Sequence, residues 1–340
     1  MHGLELLWRR GKDFLGVDIP LIAGAMTWIS DSHYFVSAAS NEGIFGCLAA
    51  GNMDPSFLDD EIKKTRQLTD KPFGVNLITI APNYKEHLTV STENNVPFIV
   101  FAGSFPRQRE VERAKDSGAK ILSFASTASI AKRLINTGVD ALILEGSEAG
   151  GHVGHVSLAI LLQQVLFKID EVPIFVAGGI VTGTFITHLL LMGAAGVQLG
   201  TFFVMTEECR AHPKFKQAFI RARARDAVAT PQIGSELKVV SVRALRNKAL
   251  DDFTKLQIRL LEKRKSGEIS HEEAQYQVEE FWVGALRRAI QEGDIDFGSL
   301  MAGQGVGLVN QVLPLKHAIK KLILEAEEAL EKIKGKCQAI

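Results

Sequence analysis

The chain has 340 residues, 46% apolar and 23% charged, which is enough to bury a sizeable core and too apolar for an intrinsically disordered protein. Lys+Arg and Asp+Glu both number 39, so the net charge is zero, which argues against nucleic acid, a polyanion or an anionic membrane surface as partner and points to a small-molecule substrate. Cys47, Cys209 and Cys337 lie far apart with no CxxC spacing, so neither a disulfide framework nor a zinc site is predicted and a reducing, cytoplasmic setting is expected.

Glu5, Arg9 and Arg10 interrupt the apolar residues at the start, which reads as no secretion signal, and no apolar run reaches the roughly 18 to 20 residues of a membrane span. Eight short apolar runs then follow, with helical stretches between them: Ile19 to Met26, Phe45 to Ala50, Phe73 to Ile78, Phe98 to Gly103, Lys120 to Ala125, Ala141 to Gly146, Ile174 to Gly179 and Gly196 to Thr201. Runs that are apolar throughout predict strands covered on both faces. Their alternation with helices predicts an α/β fold, and eight of them in about 200 residues predict a closed (β/α)8 (TIM) barrel. Gly24, Asn76, Gly103, Ser126, Glu145, Gly178 and Thr201 fall at the C-terminal side of the runs, the face on which such a barrel carries its chemistry.

After residue 228 the alternation stops. Charged stretches follow, including Lys263-Arg264-Lys265 and the segment from Glu272 to Glu280, and Ser270 with Glu273 reads as a capping box opening a helix through Phe281 and Trp282. Ile319, Leu322, Ile323, Ala326, Leu330 and Ile333 repeat at helical spacing and predict a terminal docking helix. The expected organisation is therefore a barrel over residues 1–228, a helical C-terminal insertion or lid over 229–294, and a return segment with a helix packing on the barrel over 295–340.

The most informative stretch runs from Glu145 to Gly154, leaving the sixth strand and placing His152 among Ala149, Gly150, Gly151 and Gly154. Glycines here allow a flat ligand to approach the backbone closely, and His152 is then the candidate acid or base. A metal set of Glu145, Glu148, His152 and His155 is disfavoured, because such ligands usually sit at helical spacing rather than on a glycine-rich loop. Gly178-Gly179 after the seventh run and Gly200-Thr201 after the eighth read as one phosphate site, and without a GxGxxG the phosphate belongs to a mononucleotide.

Gly24-Ala25-Met26, Gly74-Val75-Asn76, Glu145 to Gly154, Ala177-Gly178-Gly179 and Gly200-Thr201 together resemble the FMN-dependent group that contains nitronate monooxygenases (formerly 2-nitropropane dioxygenases) and flavin-dependent enoyl-acyl carrier protein reductases. The resemblance runs from about residue 10 to about residue 330. The stretch Glu207 to Pro213, Arg243 to Asn247, Gly284-Ala285-Leu286, Gly293-Asp294 and Gly298 to Gln304 look like the reductase branch, although Phe202 stands where reductases commonly carry Arg. The resemblance implies FMN as cofactor, NADH or NADPH as reductant, an enoyl thioester as substrate with acyl carrier protein as its carrier, and a homodimer. It also implies that Ala25, Met26 and Asn76 contact the flavin ring or ribityl chain, with Glu145, Ala149, Gly150 and Gly151 beside it. Gly178, Gly179, Gly200 and Thr201 would hold the phosphate, Gln304 would reach the flavin edge, and His152 would polarise the substrate carbonyl or deliver the proton.

The same residues imply a second activity, oxidation of alkyl nitronates with O2, in which His152 is the base for neutral nitroalkanes. A flavin-binding protein without turnover is a third reading, disfavoured because a pure binder has no need of His152. A barrel-type purine-nucleotide dehydrogenase is conceivable from the phosphate loops but disfavoured, because it would want a nucleophilic Cys just after the sixth strand and this sequence has none there.

Overall fold

A computed structural model describes residues 2–233, 237 and 240–338. Its strands are β1 (Leu21–Ala23), β2 (Phe45–Ala49), β3 (Phe73–Ile78), β4 (Phe98–Ala102), β5 (Lys120–Ala125), β6 (Ala141–Glu145), β7 (Gly151–His152), β8 (Ile174–Ala177), β9 (Gly196–Leu199), β10 (Ala227–Ala229) and β11 (Val242–Leu245). Eight of these close into a parallel (β/α)8 barrel in the order β1-β2-β3-β4-β5-β6-β8-β9, and β9 returns to β1 with Gln198 opposite Ile22. The first strand is shorter than the run Ile19 to Met26 suggests. Its end turns instead, with the Met26 N–H donating to Ser30 Oγ and the Ile29 N–H to the Met26 carbonyl.

Alternate residues of the strands point to the barrel axis, as a period of two requires. Ile22, Phe45, Cys47, Phe98, Val100, Leu122, Ile143 and Phe175 fill the interior, and the other set packs under the helices. The filling side chains become smaller toward the C-terminal face: Phe14, Phe45 and Phe98 stack edge to face at the N-terminal end, with ring centroids 5.8 and 5.0 Å apart. Cys47, Val100 and Ala177, smaller side chains, floor the opposite end. Room for a ligand is therefore left at the C-terminal face.

The segment after residue 228 differs from the sequence expectation. It contributes a strand as well as helices: β10, β11 and β7 form a three-stranded antiparallel sheet in the order β10-β11-β7, with Val242 opposite His152. Strands of two to four residues are too short to show a period of two in a sequence. Beyond them, helices Lys248–Lys265 and His271–Arg287 form a hairpin. Asn247 caps the first, and the Ser270/Glu273 capping box opens the second. Their own core is built on Phe253 and Trp282, whose rings are 4.3 Å apart. The terminal helix Leu315–Gln338 docks on helix Gly183–Leu191, where Thr187 Oγ1 donates to the Ala326 carbonyl at 2.8 Å. No helix among the described residues is long and apolar enough to cross a membrane.

Candidate active site

A cavity of about 1010 Å³ opens at the C-terminal face of the barrel, within the range of small-molecule and cofactor sites. Ala25, Met26, Asn76, Glu145, Ala149, Gly150, Gly151, His152, Gly178, Gly179, Gly200 and Thr201 all line it. Gln304 does not. The wall there is made by Gly303 and Gly305, because the chain enters a tight 3-10 turn at Gln304 and is pinned through its backbone. The Gly303 N–H donates to Thr201 Oγ1 and the Gln304 N–H to the Glu148 carbonyl, each at 2.9 Å. The cavity wall where Gln304 was expected is therefore the backbone of its two glycine neighbours and not its side chain.

The second hairpin helix roofs the cavity with Glu272, Gln275, Tyr276, Glu279, Trp282, Val283 and Leu286, a stripe at helical spacing. Two contacts tie that helix to the barrel mouth. Trp28, held in the left-handed region at φ +63°, donates its indole N–H to the Val283 carbonyl at 3.2 Å. Glu279 Oε1 lies 3.3 Å from His152 Nε2.

His152 sits on β7 with 45% of its side chain accessible, because it faces the open cavity and not packed protein. The cleft's low polarity disfavours the charged ring, yet the hydrogen bond and charge of Glu279, with Glu145 behind, more than offset this and place its pKa above the ordinary histidine value. Glu145, at the end of β6, shows the opposite effect: burial pushes its carboxyl up to about 8, with the His152 charge acting weakly against it. Burial thus favours the neutral form of the Glu145 carboxyl, while Glu279 favours the protonated form of the His152 ring.

The glycines of the mouth serve two purposes. Gly178 and Gly179 both lie at positive φ, +102° and +69°, and a Cβ on Gly178 would sit 2.9 Å from the Gly146 carbonyl oxygen, so only glycine turns the chain this tightly. Their backbone N–H groups, like that of Gly200, donate to no other group among the described residues, and all three residues line the cavity. Gly150 works differently. A Cβ there would lie 2.5 Å from the Gly303 nitrogen, so this glycine admits the returning chain.

Other residues singled out from the sequence turn out to be struts. Glu148 accepts from the Leu158 N–H, and neither it nor His155 lines the cavity. Arg243 donates to the carbonyls of Ser147 and Ala227, tying the β6 loop to β10. Asn247 donates to the carbonyls of Ile295 and Gly298, Glu208 accepts from the Leu315 N–H, and His212 caps helix Pro213–Arg221. Phe202 is buried edge-on against Phe203 and lies outside the cavity. Glu279 and Gln198 also line the cavity and were missed, Glu279 because an acidic helical stretch reads as a solvated face.

The family model for nitronate monooxygenase matches residues 9–88 and 78–325, and the chain belongs to this family of flavin-dependent oxidoreductases. FabK from Thermotoga maritima superposes with a TM-score of 0.85 at 34% identity, covering 96% of this chain and 98% of that one. Nitroalkane oxidase from Streptomyces ansochromogenes superposes with a TM-score of 0.78 at 26% identity, covering 95% and 99%. A (3aS,4S,5R,7aS)-5-hydroxy-7a-methyl-1-oxo-octahydro-1H-indene-4-carboxyl-CoA dehydrogenase of Rhodococcus jostii is 32% identical over 221 residues, 65% of this chain. That match spans 62% of the dehydrogenase, less than two thirds of its length.

Proposed function

We propose that the protein is an FMN-dependent reductase of enoyl thioesters that draws on NADH or NADPH. The observation that carries this reading is His152 at the cavity wall, with Nε2 3.3 Å from Glu279 Oε1, a carboxylate that favours the protonated ring and so its use as a proton donor. The likeness to FabK, an enoyl-acyl carrier protein reductase, over nearly the whole chain supports it.

The cavity fits FMN. Gly178, Gly179, Gly200 and Thr201 would hold its phosphate through backbone N–H groups, and Ala25, Met26 and Asn76 would hold the ring and ribityl chain, with Glu145, Ala149, Gly150 and Gly151 alongside. Bound FMN supplies the hydride, since no ordinary side chain can. The contribution of the chain itself is a proton and a site. As the thioester is reduced, an N–H bond of His152 breaks and a C–H bond forms at the substrate α-carbon, and the ring then regains a proton from water. Ile80, Phe105, Val240 and Tyr276 stand exposed around the mouth, an apolar rim suited to an acyl chain delivered on a carrier such as acyl carrier protein.

The likeness to nitroalkane oxidase favours a second reading, oxidation of alkyl nitronates with O2. In that chemistry His152 must be neutral to act as base toward a nitroalkane, whereas Glu279 and Glu145 favour its charged form. The test is anaerobic stopped-flow of the yellow protein. After NADH or NADPH has bleached the flavin, crotonyl thioester should restore its colour quickly, and His152→Ala should keep FMN but lose on the order of 10² to 10⁴ in that step. If crotonyl thioester leaves the flavin bleached while a nitronate bleaches oxidised flavin without any NAD(P)H, the second reading replaces the first.

A further inference from the structure

We infer that Glu279, carried by the roofing helix, is the positioning residue that holds His152 as a proton donor, so that the acid is assembled from two separate parts of the fold. The inference uses the reductase reading only for the direction in which the proton moves; the pairing itself stands on geometry.

Three observations converge. His152 lies on a two-residue strand between glycines, and its backbone is fixed by pairing to β11, but nothing in the barrel grips its ring. The single side-chain partner given to the ring among the described residues is Glu279, with Oε1 3.3 Å from Nε2. Nδ1 is left with no protein partner among those residues, so it is the nitrogen with a proton free for a substrate. Glu279, in turn, sits mid-helix between Tyr276 and Trp282, and Trp282 is fully buried in the hairpin core, so the carboxylate is presented from a fixed backbone.

The surroundings of the ring contain few competing charges. Glu145 faces it from β6 and is neutral near pH 7. Glu272 and Tyr276 line the same cavity from the roofing helix, two turns and one turn before Glu279 respectively. On the side of β11, Arg243 turns its guanidinium to the carbonyls of Ser147 and Ala227, with Glu148 as the nearby acid. Glu279 is thus the one acid paired with the ring among the described residues, and it does two things at once: it orients Nε2 and favours the proton on the imidazole.

The experiment compares wild type with Glu279→Gln and Glu279→Asp. The His152 ring is followed by NMR across pH, its signal assigned by its loss in His152→Ala, alongside the pH profile of flavin reoxidation by crotonyl thioester. In Glu279→Gln the His152 titration should move to lower pH, and the reoxidation rate should fall on the order of tenfold at pH 8 with little change at pH 6. Glu279→Asp, which keeps the charge, should recover part of both. A His152 titration unchanged in Glu279→Gln overturns the inference, as does a rate loss equal at both pH values. The NMR reading needs no turnover, so it separates failure of this pairing from failure of the reductase assignment. A protein that oxidised nitronates would still show the titration shift.

Discussion

Gly150→Ala tests whether the glycines of the β6 loop exist for a ligand or for the protein's own chain. The added Cβ would lie 2.5 Å from the Gly303 nitrogen and 2.6 Å from the Ala302 carbonyl carbon, both backbone atoms that cannot rotate away. Reaching ordinary van der Waals contact moves residues 302–304 by roughly an ångström, which strips the Gly303 N–H from Thr201 Oγ1 and the Gln304 N–H from the Glu148 carbonyl. Overpacking of this kind costs about 1–3 kcal/mol and each of the two lost hydrogen bonds about 1 more, so the expected loss is about 3–5 kcal/mol. At about 2 °C per kcal/mol for a chain of this size, the apoprotein should melt roughly 6 to 10 °C lower. Gly154→Ala is the control, since nothing lies within 4 Å of a Cβ there. Both variants are melted without flavin by circular dichroism and then titrated with FMN. Should Gly150→Ala match Gly154→Ala in the apo melt and lose only FMN affinity, Gly150 serves the ligand and the strut assignment is wrong.

Two further outcomes are expected. Gly179→Val should lower FMN content measured after acid release, because the position lies at φ +69° and a Cβ there already stands 3.2 Å from Glu148 Cβ; full occupancy would move the phosphate site elsewhere. Glu145→Gln should change how stability depends on pH: the folded carboxyl keeps its proton up to about 8 while the unfolded one releases it near 4.5, so wild-type stability falls as pH rises through that window. The variant, lacking that group, should melt increasingly above wild type between those limits and level with it below them, and parallel melting curves across pH would show that Glu145 ionises normally.

Strand identity and the reactive face were legible because they depend on local pattern. Six-residue runs such as Phe73 to Ile78 and Lys120 to Ala125 match their strands residue for residue, since a strand covered on both faces writes a continuous apolar run. The capping box at Ser270 likewise marks a helix start wherever it occurs, because its two hydrogen bonds close within four residues. His152 stood out for its glycine neighbours, and Gly178-Gly179 for a turn no other residue makes.

Tertiary structure alone decided what those residues meet. Glu279 reads as one more acid on a solvated helix until the hairpin folds over the barrel and brings it beside His152. Gln304 looks like a site residue until its turn presents Gly303 and Gly305 instead. Gly150 reads as a residue of the cavity alone until the return segment lies against it. In each case the deciding partner is more than a hundred residues away, and no periodicity, cap or spacing records a contact that only the register of β7 on β11 and the docking of the hairpin create.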